Sequence, residues 1–356
     1  MARVHAKAAH AADVDVVAAA GSGPARAEAA RSATKADLGY ASVEQMLDLA
    51  DLDVLHICTP NASHRELSLA ATARGVHVIC EKPLTATAAE ARELVAAVEE
   101  AGTTGAVPFV YRFHPMVREL RERLRSGHAG TVGLVTGSYL QDWLADAAET
   151  NWRVDTGSGG QSRAFADIGS HWFDLLEFVR GVSVTRLSAR FATVFPSRAG
   201  EVAVATEDSC TVQFEMSDGV IGTFSASQVA RGRKNRLALE ISGDRQSYFF
   251  DQESPESLWI GAEDGNRVVL RDPSALSAEA ARFAVLPAGH PQGYQDCFNA
   301  FVADAYSAVA GQPPAGLPTF ADGLRSAQIV DAVVESALDG GRWIVLEERG
   351  IPNGHQ

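Results

Sequence analysis

The chain has 356 residues, 46% hydrophobic and 21% charged, with 31 Lys and Arg against 45 Asp and Glu for a formal net charge of -14. That length accommodates two domains, that apolar content excludes disordered and collagen-like classes, and that negative balance repels nucleic-acid phosphates and anionic membrane surfaces. Cys58, Cys80, Cys210 and Cys297 are scattered and read as reduced thiols, and no zinc spacing, signal pattern or membrane-length apolar run occurs, so no metal, nucleic acid or membrane is expected and the cytoplasm is the expected location.

Residues 1–12, rich in Ala with no breaker, predict a helix, and 14–20 an apolar strand that ends in Gly21-Ser22-Gly23-Pro24. Helices follow at 25–33 and 43–50, a strand at 54–58 ending in Thr59-Pro60-Asn61, and a helix at 64–74 stopped by Gly75. A short β-branched strand at 76–80 runs into Glu81-Lys82-Pro83, then come a helix at 86–101 and a strand at 105–110. Strands alternating with helices at this spacing predict parallel βαβ units, hence a doubly wound sheet. Beyond a helix at 115–125 the texture changes to strands at 132–140, 184–194, 209–216, 220–226, 236–242, 246–251, 257–261 and 267–270, with Ser217-Asp218-Gly219 as a hairpin turn. Helices at 170–180, 294–310 and 321–338 would cover one face of this large antiparallel sheet. The expected division is an α/β Rossmann-like domain over 1–112 and an α+β domain over 113–356.

Two stretches carry chemistry. Lys82 falls where a buried parallel strand ends at Pro83, and open α/β sheets bind ligands at the carboxyl ends of their strands; a surface ion pair with Glu81 is the plain alternative. In Gly159-Gly160-Gln161-Ser162-Arg163-Ala164-Phe165-Ala166-Asp167-Ile168-Gly169-Ser170-His171, Asp167 and His171 stand four apart at the start of an apolar helix. A carboxylate beside an imidazole fixes its tautomer and raises its basicity, as a general base for a hydroxyl proton requires. Helix capping by Asp167 and Ser170, with His171 structural, is the alternative.

Thr59-Pro60-Asn61 with His64, Glu81-Lys82-Pro83, Tyr111-Arg112-Phe113-His114-Pro115 and Asp167-x-Gly169-x-His171-x-x-Asp174 occur in an order and at spacings that resemble the Gfo/Idh/MocA family of NAD(P)-dependent oxidoreductases. The resemblance covers nearly the whole chain. It implies a Rossmann-like domain, a second domain whose open sheet supports a homo-oligomer, dimer or tetramer, and hydride transfer between NAD(P) and a secondary alcohol or ketone of a sugar or cyclitol. By position it assigns Lys82 as the active-site lysine and His171, with Asp167, as the acid/base pair. Thr59, Pro60, Asn61, His64, Glu81 and Lys82 would lie along the cofactor, and Arg112, Trp152, Arg153, His290 and Tyr294 on the substrate side. The chemistry agrees: His171 would take the hydroxyl proton while the Lys82 ammonium stabilises charge developing on oxygen.

One part of the pattern is missing. The family opens with a strand and a Gly-x-Gly-x-x-Gly turn that admits the pyrophosphate, whereas residues 1–7 already look like the helix after that turn. The expectation is that Met1 is an internal methionine, and that without the opening strand the sheet is weakened. A non-catalytic sugar-binding or regulatory relative is the alternative function. After the strand at 14–20, an acid would often meet the ribose of NAD; Ser22 and Arg26 stand there instead, leaning the cofactor towards NADP over NAD. For a sugar or polyol, Gln141-Asp142-Trp143 and Asn151-Trp152-Arg153-Val154-Asp155 combine aromatic faces with hydrogen-bonding groups. Gln228, Arg231, Arg233 and Asn235 read as solvated groups or an oligomer contact.

Overall fold

The structure, a computed structural model, describes residues 1–149, 160–199 and 202–347. The chain forms two compact units, one of Met1–Phe113 with Gly293–Leu324, the other of His114–Gln292 with the residues from Arg325 onward. The boundary at Phe113 is one residue from the expected one. Residues 293–324, however, pack in the first unit instead of the second. The helix Tyr294–Val309 explains this: Phe298 sits against His5, and Phe301 against Phe113, with ring centroids 4.7 and 5.8 Å apart. Sequence order places this helix after the strand-rich stretch, but its aromatic face finds its partners near the amino terminus.

In the first unit the strands β1 (Ala18–Ala20), β2 (Leu38–Tyr40), β3 (Val54–Ile57), β4 (His77–Cys80) and β5 (Gly105–Ala106) pair with one another in parallel, as the alternation of strands and helices predicts. The helices between them end on conventional signals. Ser42 and Thr87 accept the amide hydrogens of Gln45 and Glu90 as N-caps, and Gly102 closes helix Ala88–Ala101 in the left-handed conformation at φ 65°. The sheet is in two pieces, β1–β2 and β3–β4–β5. In the usual strand order of a dinucleotide-binding domain, 3-2-1-4-5-6, the first strand separates the second from the fourth. The break between β1 and β3 falls at that place, and residues of both edges, Val17, Ala19, Leu55 and Ile57, line a cavity of about 250 Å³.

The second unit is built on a nine-stranded sheet. In the order β15-β14-β13-β12-β6-β11-β10-β7-β16 it runs Arg267–Leu270, Ser257–Ala262, Gln246–Asp251, Arg236–Gly243, Val132–Leu140, Ile221–Ser227, Ser209–Met216, Val184–Ala192 and Ile344–Val345. Every pair is antiparallel except β6–β11. A two-residue pair, β8 (Ser197–Arg198) and β9 (Val202–Ala203), stands apart from it. Alternation decides the faces: Val212, Phe214, Phe224 and Ala226 are buried on one side, while Thr211, Thr223 and Ser225 are exposed on the other. Helix Ser170–Arg180 lays Trp172 and Phe173 on the buried face. Trp172 is 0% exposed, its ring 4.7 Å from Phe224 and its indole N–H donated to the Ala238 carbonyl at 2.9 Å. Burial of each such ring contributes about 1.5–3 kcal/mol. Gly137 of β6 makes this possible, since a Cβ there would stand 2.4 Å from the Trp172 ring. The helix is anchored at its far end by Glu177, which pairs with Arg325 at 2.7 Å. Among the described residues no helix is long and apolar enough to cross a membrane, and no three His, Cys, Asp or Glu side chains gather to hold a metal.

Candidate active site

In the first unit β3 and β4 end side by side, with Ile57 paired to Cys80, so that Thr59-Pro60-Asn61 and Glu81-Lys82-Pro83 emerge together at the carboxyl edge of the sheet. Thr59 and Pro60 are exposed, and Asn61 and Lys82 half-buried. The Lys82–Pro83 peptide is cis. His64 is fully buried, with its ring between the carbonyl oxygens of Thr59 and Pro83 at 2.9 Å from each. It therefore ties the two strand ends together from beneath. Glu81 points inward as well, to His5 at 3.0 Å, and its other oxygen accepts the Lys82 amide hydrogen. Burial pushes the Glu81 carboxyl up, but the hydrogen bond and charge of His5, with Lys82, more than offset this and hold it below the usual range. The surface-pair reading of Glu81 and Lys82 does not describe a carboxylate so placed.

At the end of β1, a Cβ on Gly21 would stand 2.4 Å from the Arg26 backbone, so glycine is what lets helix Pro24–Thr34 start so close to the strand. Ser22 does not cap that helix; its hydroxyl accepts a hydrogen bond from Arg26 at 2.7 Å, on the surface. Arg112 is 4% exposed and pairs with Asp322 at 2.6 Å, while Asp322 also accepts the Thr319 amide hydrogen at the start of helix Phe320–Leu338. That pair ties Arg112 to the start of helix Phe320–Leu338 within the unit. Tyr294, 38% exposed, opens helix Tyr294–Val309 with its ring against Tyr111 and Phe298. Thr59-Pro60-Asn61 and Glu81-Lys82-Pro83 thus stand together at the edge where open α/β sheets bind ligands. The chain contains no Gly-x-Gly-x-x-Gly turn for the pyrophosphate.

In the second unit Asp167 lies in a single π-turn, Phe165–Gly169, that runs directly into helix Ser170–Arg180 carrying His171. Such turns are rare and concentrate at functional sites. The capping alternative fails for Ser170, whose hydroxyl donates to the Ala166 carbonyl within the helix. A Cβ on Gly169 would meet the Phe165 ring at 2.4 Å, which explains the glycine between the two candidate residues. Glu207 grips the turn, accepting hydrogen bonds from the Ser162 hydroxyl at 2.7 Å and the amides of Arg163 and Phe165 at 3.1 and 2.8 Å. Burial pushes the Glu207 carboxyl up despite these donors. Beside it Asp208 holds Arg163 and Arg198, and Arg198 donates to the carbonyls of Leu144 and Asp146. Asp167 itself accepts from Gln228 Nε2 at 2.8 Å, and Gln228 is 0% exposed. Gln228 is therefore no solvated or oligomer-contact group. Its role, like that of Glu207, has no local sequence signal, because both come from strand ends more than forty residues away.

Trp143 gives its indole N–H to Gln141, and Gln141 and Tyr139 both donate to Asn235 Oδ1. His290 is exposed, on a loop whose carbonyls at Leu286, Pro287 and His290 are held by buried Arg271. Trp152 and Arg153 lie outside the described residues.

Residues 1–109 match the oxidoreductase family with an NAD-binding Rossmann fold, and residues 117–249 match the GFO/IDH/MocA C-terminal domain. Among similar proteins, levoglucosan dehydrogenase of Pseudarthrobacter phenanthrenivorans is 31% identical over 316 residues, 82% of this chain and 80% of that protein. Inositol 2-dehydrogenase of Rhizobium meliloti is 27% identical over 340 residues, 95% of this chain and 94% of that one. Of solved structures, levoglucosan dehydrogenase in complex with NADH and levoglucosan superposes with a TM-score of 0.89 at 27% identity, covering 97% of this chain and 96% of that one. An oxidoreductase domain protein from Kribbella flavida superposes at 0.88 with 30% identity, covering 98% and 96%. With both halves matched in order and a relative this similar over most of its length, the chain belongs to the Gfo/Idh/MocA family of NAD-binding oxidoreductases.

Proposed function

We propose that this protein catalyses hydride transfer between a nicotinamide dinucleotide and a secondary alcohol or ketone of a sugar or cyclitol. The observation that carries the reading is the near full-length likeness to a levoglucosan dehydrogenase solved with NADH and levoglucosan. In the reaction His171 takes the hydroxyl proton as the carbon–hydrogen bond breaks, Asp167 supports its imidazolium, and Lys82 stabilises the charge developing on oxygen. Bound nicotinamide supplies the acceptor for the hydride. Thr59, Pro60 and Asn61 line the cofactor, His64 and Glu81 hold the strand ends that do so, and His290 and Tyr294 stand on the substrate side. The first unit serves the cofactor and contributes Lys82 and Tyr294, while the second contributes Asp167, His171 and His290. We favour NADP on the Ser22–Arg26 pair, a hydroxyl and a guanidinium suited to a phosphate on the ribose. The exposed Thr and Ser face of the nine-stranded sheet is the proposed contact for a homo-oligomer.

The test is to incubate the protein with NAD or NADP and levoglucosan, myo-inositol or D-xylose and follow the absorbance of reduced nicotinamide. Turnover that disappears in Lys82→Ala and in His171→Ala, both still folded by circular dichroism, is expected; near-normal turnover in either variant removes its assigned role. One other reading is a sugar-binding relative without catalysis. Failure to bind either NADH or NADPH, with sugar binding retained, would select it.

A further inference from the structure

A row of polar side chains leads from the end of β4 into the interior of the first unit. Glu81 Oε2 accepts the Lys82 amide hydrogen at 3.2 Å, and Glu81 Oε1 lies 3.0 Å from His5 Nε2. His5 Nδ1 lies 2.9 Å from His56 Nδ1, and His56 Nε2 lies 2.8 Å from the Tyr306 hydroxyl. His5 is 2% exposed on helix Ala2–Ala11, against the ring of Phe298. The titratable groups around the row are Cys58 and Glu81 at His5, Lys82 beside Glu81, and Asp53 near Tyr306.

These contacts restrict where the protons lie. An ionised carboxylate only accepts, so His5 Nε2 carries a hydrogen. One hydrogen must lie between the two Nδ1 atoms, and it belongs to either ring. With His5 doubly protonated, Nδ1 donates to His56, whose Nε2–H then donates to Tyr306 Oη. With one proton fewer, His56 Nδ1 donates to His5 and the Tyr306 hydroxyl donates to His56 Nε2. The change between these states balances as three transfers: from His5 Nδ1 to His56 Nδ1, from His56 Nε2 to Tyr306 Oη, and the former hydroxyl proton of Tyr306 to solvent. No heavy atom needs to move, and Tyr306 is the half-buried end of the row.

We propose that His5, His56 and Tyr306 are positioning residues for Lys82, holding the Glu81 carboxylate in the orientation that fixes the Lys82 amide and conducting the proton that charges His5 opposite it. The proposal rests on the preceding reading only for what Lys82 does in turnover. The electrostatics agree. Burial pushes His5 down, but Cys58 and Glu81 outweigh it and raise His5 to about 9. Burial, then the charge of His5, push His56 well below its usual value, and burial with Asp53 raises Tyr306 to about 12. At neutral pH the row therefore stands in its first arrangement, a buried imidazolium against a carboxylate.

Lys82–Pro83 is the one Lys-Pro pair in the chain, so labelling with carbonyl-13C lysine and 15N proline isolates a single resonance from the Lys82 backbone. In the wild type this resonance should shift with a midpoint near pH 9, together with the ring Cε1 signal of His5. In His5→Gln, which keeps one donor for Glu81, the transition should vanish. In Tyr306→Phe, which keeps the ring packing, the midpoint should move by about half a unit or more, since the hydroxyl that accepts from His56 in one arrangement and donates to it in the other is lost. A wild-type Lys82 signal indifferent to pH in this range, or an unchanged midpoint in either variant, overturns the proposal. These readouts need neither cofactor nor substrate. Failure of the dehydrogenase reading would show separately, as absent turnover.

Discussion

Breaking the Glu177–Arg325 pair should unseat the helix that carries His171. Arg325 donates to both Glu177 oxygens at 2.7–3.1 Å and to the carbonyls of Val184 and Glu347, and the two side chains are 3% and 5% exposed. Arg325→Met removes the cation and leaves Glu177 buried with the Val184 amide at 2.8 Å as its remaining donor. An uncompensated buried charge of this kind costs about 3–5 kcal/mol. Glu177→Gln keeps an acceptor for the Val184 amide, so combining it with Arg325→Met should recover about 2 kcal/mol relative to the sum of the single changes. The assay is urea denaturation of the four proteins, followed by tryptophan fluorescence and circular dichroism. A cost below about 1 kcal/mol for Arg325→Met, or a coupling below about 0.5 kcal/mol, would refute the reasoning, because the pair would then behave as an exposed one.

Gly137→Ala should destabilise the protein by about 1–3 kcal/mol through overpacking against Trp172, read in the same urea titration. Gln228→Leu removes a hydrogen bond to the Asp167 carboxylate worth about 1.5–3 kcal/mol, so kcat should fall by about ten- to a hundredfold with KM little changed in steady-state assays. Because His5 is raised from 6.5 to about 9 on folding, its contribution to stability is fully present below pH 6.5 and is lost as the pH rises towards 9. Unfolding free energies from urea titrations at pH 6 to 10 should show a decline of about 3 kcal/mol in the wild type that is absent in His5→Gln. Glu81, lowered on folding, acts in the other direction: its share is present above the unfolded carboxyl value and is lost as the pH falls through the folded one.

The strand-to-turn junctions were legible as sequence because their causes are local. An apolar run ended by Pro83, a helix stopped by Gly75 and a turn at Ser217-Asp218-Gly219 each depend on backbone freedom within a few residues, and β4, helix His64–Thr72 and the β10–β11 hairpin lie where those signals put them. Strand β2 escaped because its three residues, Leu-Gly-Tyr, have no run for a period to show. Motif order alone likewise identified the family and the candidates Lys82, Asp167 and His171. What holds them was decided by tertiary structure. Gln228 and Glu207 reach the Asp167 turn, His5 reaches Glu81, and Asp322 draws Arg112 inward, across separations of 45 to 210 residues that hydrogen bonding and burial close. A sequence carries its turns and periodicities in neighbouring residues, whereas the partner of a buried charge is set by which distant strand ends the packed core brings within 3 Å of it.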